Sequence, residues 1–287
     1  MEKKVKRFSS LLLVLSLLLL PVSALSAPVA ENLELRTYRG ISVGGQLVAV
    51  TPDGGEVSFS ITTEPSKGTV ELDENGGFIY TPKENSRGRD YFGYRATDSE
   101  GQQSREATVI IRLCRQRKNL RYADTAGLRC DYAAHALAEM GLFSGSTLLG
   151  NARFEPERPV SRVEFLSLCM ACAEQRLLSA VESTGYEDDA ELEAWTKPYV
   201  ATALFDGIGA DSARFNGSEA ILPSEAGELV NRCFMLTNAA VCAEESQSMA
   251  NLRACGLWDA MLQSEEPLTR SDAAVLLVKA MELRQSA

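Results

Sequence analysis

Histidine is almost missing from this 287-residue sequence, with His135 the one copy. Zinc enzymes with histidine ligands, Ser-His-Asp hydrolases and Cys-His proteases all need imidazole at a defined place, so that count argues against each. Positive charge is also scarce: 29 basic residues face 39 acidic ones, net -10, which is not the footprint of a nucleic-acid binder. No Gly-rich phosphate loop, metal-spaced cluster or paired-carboxylate motif can be identified, so no enzyme is expected. What remains is an ordinary globular balance, 45% hydrophobic and 24% charged, over a length that suits two domains.

Long apolar runs are limited to one. Lys3, Lys4, Lys6 and Arg7 precede Leu11–Leu20, and small residues follow at Ser23, Ala24, Ser26 and Ala27. Basic start, short greasy core and small-residue exit are the order of a secretory signal, expected over 1–27. The run is too short to span a bilayer core, which needs about 20 residues. Export as a soluble surface or wall protein follows, with no membrane-spanning segment after cleavage. Removing 1–27 takes away four basic residues and Glu2, leaving 25 basic and 38 acidic groups, net -13.

Seven cysteines (Cys114, Cys130, Cys169, Cys172, Cys233, Cys242 and Cys255) cannot form a closed disulfide set. Cys169 and Cys172 have the spacing of a redox or zinc half-site, but they fall in an apolar helical stripe without a second pair. They read as small buried hydrophobes.

Two periods divide the chain. From 31 to 113 the pattern alternates by two: Val57, Phe59 and Ile61; Phe92, Tyr94 and Ala96; Ala107, Val109 and Ile111. Turn signals at Pro52-Asp53-Gly54-Gly55, Asn75-Gly76-Gly77 and Asp98-Ser99-Glu100-Gly101 separate about seven short strands, which suggests a β-sandwich. Val70 and Leu72 before Asn75-Gly76, with Phe78 and Tyr80 after, read as a hairpin. The series Gly45–Ala49, Pro65–Val70, Gly77–Pro82, Gly88–Tyr94 and Asp98–Gly101 resembles bacterial cadherin-like, immunoglobulin-like modules of exported proteins. That resemblance implies a spacer or adhesive unit and does not supply its ligand; a surface protein or matrix component is the partner to look for. Asp90 and Asp98 are weak calcium candidates and read first as turn caps.

Arg115, Arg117, Lys118 and Arg121 form a basic linker over 114–121, read as a solvated hinge. From Tyr122 onward the period is helical and the balance acidic, 25 acidic to 12 basic. The stretch repeats itself. Gly141-Leu142, Gly207-Ile208 and Gly256-Leu257 each close an apolar helix, and second helices open at Val160–Glu164, Ile221–Glu225 and Leu268–Asp272. The distances from the glycine to Arg162, Pro223 and Arg270 are 21, 16 and 14 residues. Three helix-loop-helix units over 122–178, 184–236 and 239–287 account for this.

The openings have a physical logic. Ser161 and Glu164 suit a capping box, approximated by Thr269 and Asp272. Behind them Leu166, Cys169, Met170 and Ala173, and likewise Leu276, Leu277, Ala280 and Met281, line one face. Arg162 and Arg270 do not fit a purely local account, because a cation at the first helical position adds to the positive end of the helix dipole. An anion in front of them would resolve the conflict.

Tyr122-Ala123-Asp124 and Tyr186-Glu187-Asp188 at the repeat starts, Trp195 in the second and Ser161-Arg162-Val163-Glu164 in the first make the region similar to three S-layer homology repeats. The third lacks the aromatic-x-Asp start. The resemblance implies an all-α three-repeat pseudo-trimer that attaches its carrier to anionic, often pyruvylated, secondary cell-wall polysaccharide in the wall or S-layer. It further implies that Arg162 and Arg270 meet the carboxylate, that Ser161 and Thr269 cap their helices, and that Asp124, Asp188 and Trp195 line or brace the pockets. Pro223 replaces the second arginine. Trp195 reads first as a core indole and second as a sugar-stacking platform, and His135 as a structural residue. Binding that relies on arginine charge should depend on salt. The alternative is an adhesin or surface-assembly protein whose β-sandwich makes the specific contact while the repeats are only structural.

Overall fold

The computed structural model describes residues 27–52, 54–143, 145–148, 151–208, 212–235, 247–255, 257 and 265–286. All but Ala27 of the expected signal, Asp53 of the first turn, Cys242, Gly256 and residues 239–246 of the third unit lie outside the described residues.

Period-two patterning produces nine strands among the described residues before 115. They are β1 (Val29–Ala30), β2 (Leu33–Tyr38), β3 (Val43–Gln46), β4 (Ala49–Val50), β5 (Val57–Thr63), β6 (Gly68–Leu72), β7 (Gly77–Pro82), β8 (Gly88–Asp98) and β9 (Ala107–Cys114). One sheet runs β2-β9-β8-β5 and another β3-β7-β6, while β1 and β4 pair separately. The expected hairpin is β6–β7, with Val70 opposite Tyr80 and Leu72 opposite Phe78. Strand β2 joins β9 in parallel, the others antiparallel.

The alternating side chains meet between the sheets. Phe78 of β7 and Phe92 of β8 pack edge to face at 5.2 Å, and Tyr80, Tyr94, Val109 and Ile111 are fully buried around them. Tyr94 Oη donates to Val48 O (2.9 Å) and Glu31 O (2.5 Å), tying the β1–β4 ribbon to the core. Asp98 accepts from the amides of Glu100 and Gln102, the turn cap expected of it. Asp90 does something other than cap a turn: buried, it accepts from Ser66 N, Ser66 Oγ, Lys67 N and Tyr80 Oη, pinning the 65–67 loop across the sandwich.

The remainder comprises helices α1 (Asp131–Met140), α2 (Arg162–Cys172), α3 (Lys197–Phe205), α4 (Pro223–Cys233), α5 (Gln247–Ala254) and α6 (Arg270–Ser286). A small hairpin, β10 (Ser146–Leu148) with β11 (Asn151–Arg153), lies between α1 and α2. The first helix of each pair ends alike. Leu142 N donates to Leu137 O, Ile208 N to Ala203 O and Leu257 N to Leu252 O, at 3.0, 2.8 and 2.9 Å. This is the long bond of a Schellman turn, and it needs a left-handed residue just before the donor. Gly141 (φ 75°) and Gly207 (φ 69°) supply it without strain.

The residues just before the three second helices close a ring. Val160 N donates to Leu268 O (2.9 Å), Leu268 N to Ile221 O (2.9 Å), and Ile221 N to Val160 O (3.0 Å). All three side chains are buried. The same rotation relates flanking bonds: Arg162 N to Glu219 O with Arg270 N to Arg158 O, and Val163 N to Gly217 O with Ser271 N to Pro156 O. The segments that open α2, α4 and α6 are thus related by a pseudo-threefold rotation.

The 114–121 segment is not a solvated hinge, as the sequence had suggested. Glu139, near the end of α1, accepts from Arg117 N and Lys118 N, Lys118 Nζ caps Ala138 O at 2.7 Å, and Arg121 reaches Arg39 O. Close by, Ser42 N donates to Asp131 Oδ2 (3.0 Å), Tyr38 packs on Tyr132 (5.5 Å), and Arg36 pairs with Glu282 of α6 (3.0 Å). Gly44 lets this face approach, since a Cβ there would lie 2.3 Å from Arg129 Cγ. Backbone amides of the segment and two of its side chains, Lys118 and Arg121, therefore tie sandwich and helices together, while its four basic residues stay exposed.

Candidate functional site

Asp124 and Asp188 perform one structural task in two repeats. Asp124 accepts from Phe154 N (2.8 Å) and Glu155 N (2.9 Å); Asp188 accepts from Phe215 N (2.8 Å) and Asn216 N (2.7 Å). Glu155 and Asn216 both hold left-handed backbone, φ 60° and 55°. The preceding aromatics repeat as well, with Tyr122 on Phe154 and Tyr186 on Phe215 at 5.5 Å each. Burial alone would raise both carboxyl pKa values, but the amide donors outweigh it and hold them below the ordinary range. These aspartates brace the loops.

Ser161 caps α2 as expected, accepting from Glu164 N at 3.3 Å, and Thr269 Oγ1 accepts from Asp272 N and donates to Asp272 Oδ2. The returning carboxylate occurs in the second repeat, where Leu222 N donates to Glu225 Oε2 at 3.1 Å. Glu164, expected to complete its own capping box, is directed elsewhere.

Its partner is Arg270. Nη1 of that guanidinium lies 3.3 Å from Glu164 Oε1, Nε donates to Phe154 O at 2.7 Å, and the plane sits over the Phe143 and Phe154 rings. Arg270 is only 4% exposed. Burial pushes its pKa down, opposed chiefly by Glu164. Arg162 makes the equivalent connection to the second repeat, donating to Phe215 O (2.9 Å) and Glu225 Oε1 (2.7 Å), with Glu219 at 3.8 Å. The anion demanded by a cation at a helix start is present, but the neighbouring repeat supplies it. Glu164 and Glu225 thus stand beside Arg270 and Arg162, where the resemblance implied a ligand carboxylate. Pro223 removes the third such link.

Trp195 is also corrected. It is 56% exposed, not a core indole, and stands edge-on to Tyr199 with ring centroids 6.4 Å apart. Its Nε1 donates to Glu193. Trp195 and Tyr199 line a groove of about 300 Å³ together with residues of the first helical unit and Arg270 of the last helix. Leu142, Phe143, Glu164, Leu168 and Arg270 line the rest with small residues between them. Of the expected binding residues, Trp195 and Arg270 meet here, joined by the capping candidate Glu164. Arg162, Ser161, Thr269, Asp124 and Asp188 do not line it. Tyr199, Leu142 and Leu168 were missed as site residues, although Tyr199 follows Trp195 by one helical turn.

The CysXXCys pair is buried, as expected, with Cys233 of α4 beside Cys169. All six described cysteines are free thiols. Burial raises the Cys169 thiol pKa well above its ordinary value and that of Cys172 to about 12. His135 is buried, its Nδ1 2.7 Å from Asp131 O. Among the described residues, no cluster of three or more His, Cys, Asp or Glu side chains is placed to hold a metal, and no helix is long and apolar enough to cross a membrane.

Residues 26–113 match the family model of the bacterial cadherin-like domain. No curated protein matches the sequence. Among solved structures, the chain is similar to the sialic-acid-binding region of a Streptococcus sanguinis adhesin (20% identity, 34% of this chain and 31% of that one, TM-score 0.24). It is also similar to a SusE-like, surface-located polysaccharide-binding protein of Bacteroides thetaiotaomicron (13%, 32% and 15%, 0.23). An endo-fucoidan hydrolase of glycoside hydrolase family 107 is similar too (16%, 34% and 18%, 0.26). The chain therefore spans less than a third of the length of each.

Proposed function

We propose that the chain is a non-enzymatic protein of the cell envelope whose helical part holds secondary cell-wall polysaccharide and whose cadherin-like sandwich is carried at the surface. The carrying observation is the groove that Trp195 lines, where an exposed indole is joined by aliphatic side chains and a carboxylate. An aromatic face against aliphatic walls suits the C–H faces of a pyranose, and a carboxylate accepts from its hydroxyls. The pseudo-threefold relation of the segments that open α2, α4 and α6 supports the S-layer homology reading, as do the repeated Tyr–Asp–amide clamps. Calcium has no assigned place in this proposal.

Co-sedimentation of the full chain with isolated wall sacculi tests it. The chain should pellet with polymer-bearing walls and stay in solution once the secondary polymer is extracted. A folded chain that ignores polymer-bearing walls would leave the repeats as scaffold and move the specific contact to the sandwich.

A further inference from the structure

An arginine in a glycan groove suggests an acidic ligand, but the charge distribution here does not. Arg270 lines the groove while being almost wholly buried, ion-paired to Glu164, bonded to Phe154 O and held against two phenyl rings. Its charge and its best donors are committed inside the protein. Glu164 remains about a quarter exposed, with Oε1 toward Arg270 and Oε2 3.9 Å from Arg158. Arg158 lies between two acids, since its Nη1 is also 3.8 Å from Glu155. Beside the groove, and not part of its lining, Glu193 holds the indole N–H of Trp195. The charged lining is thus one internally neutralised pair, and the nearby residues that reach it add two further acids and one cation.

We infer that this groove takes an uncharged sugar residue, stacked on Trp195 and donating hydroxyl protons to Glu164, and not a carboxylate-bearing one. The inference rests on the wall-polysaccharide reading and narrows its ligand class. A ligand carboxylate would have to approach Glu164 and be desolvated beside it, with Arg270 committed inside the protein and Arg158 already set between two acids. A neutral pyranose meets no such penalty. It gains the apolar faces of Trp195, Leu142 and Leu168 and an acceptor already oriented by Arg270.

The test is calorimetric titration of the full chain with isolated wall polysaccharide in two forms. One is native, and in the other the carboxylates have been reduced to primary alcohols by carbodiimide activation and borohydride. The reduced polymer should bind at least as tightly as the native one, and Kd should change less than about twofold between about 0.05 and 0.5 M salt. Loss of more than about tenfold on reduction overturns the neutral-sugar assignment while leaving wall binding intact. Failure of both forms to bind overturns the wall-binding reading itself. Trp195→Ala locates the site: the variant should unfold like wild type yet bind about tenfold or more weakly. A variant that binds like wild type would overturn the assignment to this groove.

Discussion

Arg270 opens the last helix and Glu164 sits in the first turn of α2, 106 residues earlier, yet their side chains meet at 3.3 Å across a repeat junction. Arg162 and Glu225 repeat the relationship at the next junction at 2.7 Å. A residue that is unfavourable for its own helix is thereby stabilised by the next one.

The two links differ in burial, and so should their worth. Arg270→Ala leaves Glu164 without its buried partner and Phe154 O without a donor, at a cost of about 2–3 kcal/mol. Arg162→Ala, in a more exposed pair, should cost about 1 kcal/mol. Urea unfolding followed by circular dichroism measures both, and equal losses would contradict the burial argument.

The hydrogen-bonded ring of Val160, Ile221 and Leu268 should couple the unfolding of the helices that these residues precede. Leu268→Ala removes a fully packed side chain at that axis and should cost about 3 kcal/mol. Calorimetry of this variant should show the helical region unfolding in one transition at lower temperature. A separate early transition confined to the third repeat would refute the coupling.

Acid should destabilise the protein through Asp90, Asp124 and Asp188. Burial raises each carboxyl pKa, but hydrogen-bond donors overcome that and leave all three lowered. A depressed folded value means that this stability is fully present above the unfolded pKa of about 3.9 and disappears as pH falls through the folded values. Unfolding free energy should be flat from neutral pH to about 5 and drop below about 4. Asp188→Asn should be less stable than wild type at neutral pH and flatten part of that fall, which denaturant curves at several pH values can read.

Thiol accessibility gives an independent check of the packing. Cys130, Cys169, Cys172 and Cys233 are buried, and burial raises the thiol pKa of Cys130 to about 11 and of Cys172 to about 12. An aromatic disulfide reagent near pH 8 should leave these four unmodified in the native chain and label them in denaturant. Mass spectrometry of the digested protein identifies the labelled sites. Rapid native labelling of Cys169 would show that the α2–α4 contact is wrong.

Much of the architecture was legible because it depends on neighbours along the chain. Alternation placed Phe92, Tyr94 and Ala96 inside the sandwich, Asn75-Gly76 located its hairpin, and Gly141 and Gly207 marked left-handed helix ends. Glu225 could have been recognised as well, since it stands at the same offset from Ile221 as Glu164 from Val160. The expected signal lies outside the described residues.

Spacing determined by itself that a strand-period region is followed by a helix-period one. Only the tertiary structure decided where the charges and rings ended up. Arg162 and Arg270 have partners 63 and 106 residues away, and Glu139 and Asp131 turn the basic linker and the β3 edge into a docked interface. Trp195, equally suitable for a core or a surface by its chemistry, is exposed because the groove that it lines leaves it uncovered. Turns, caps and periodicity are local and written in adjacent residues, whereas the pairing of a buried charge depends on which distant carboxylate the fold brings within hydrogen-bond reach.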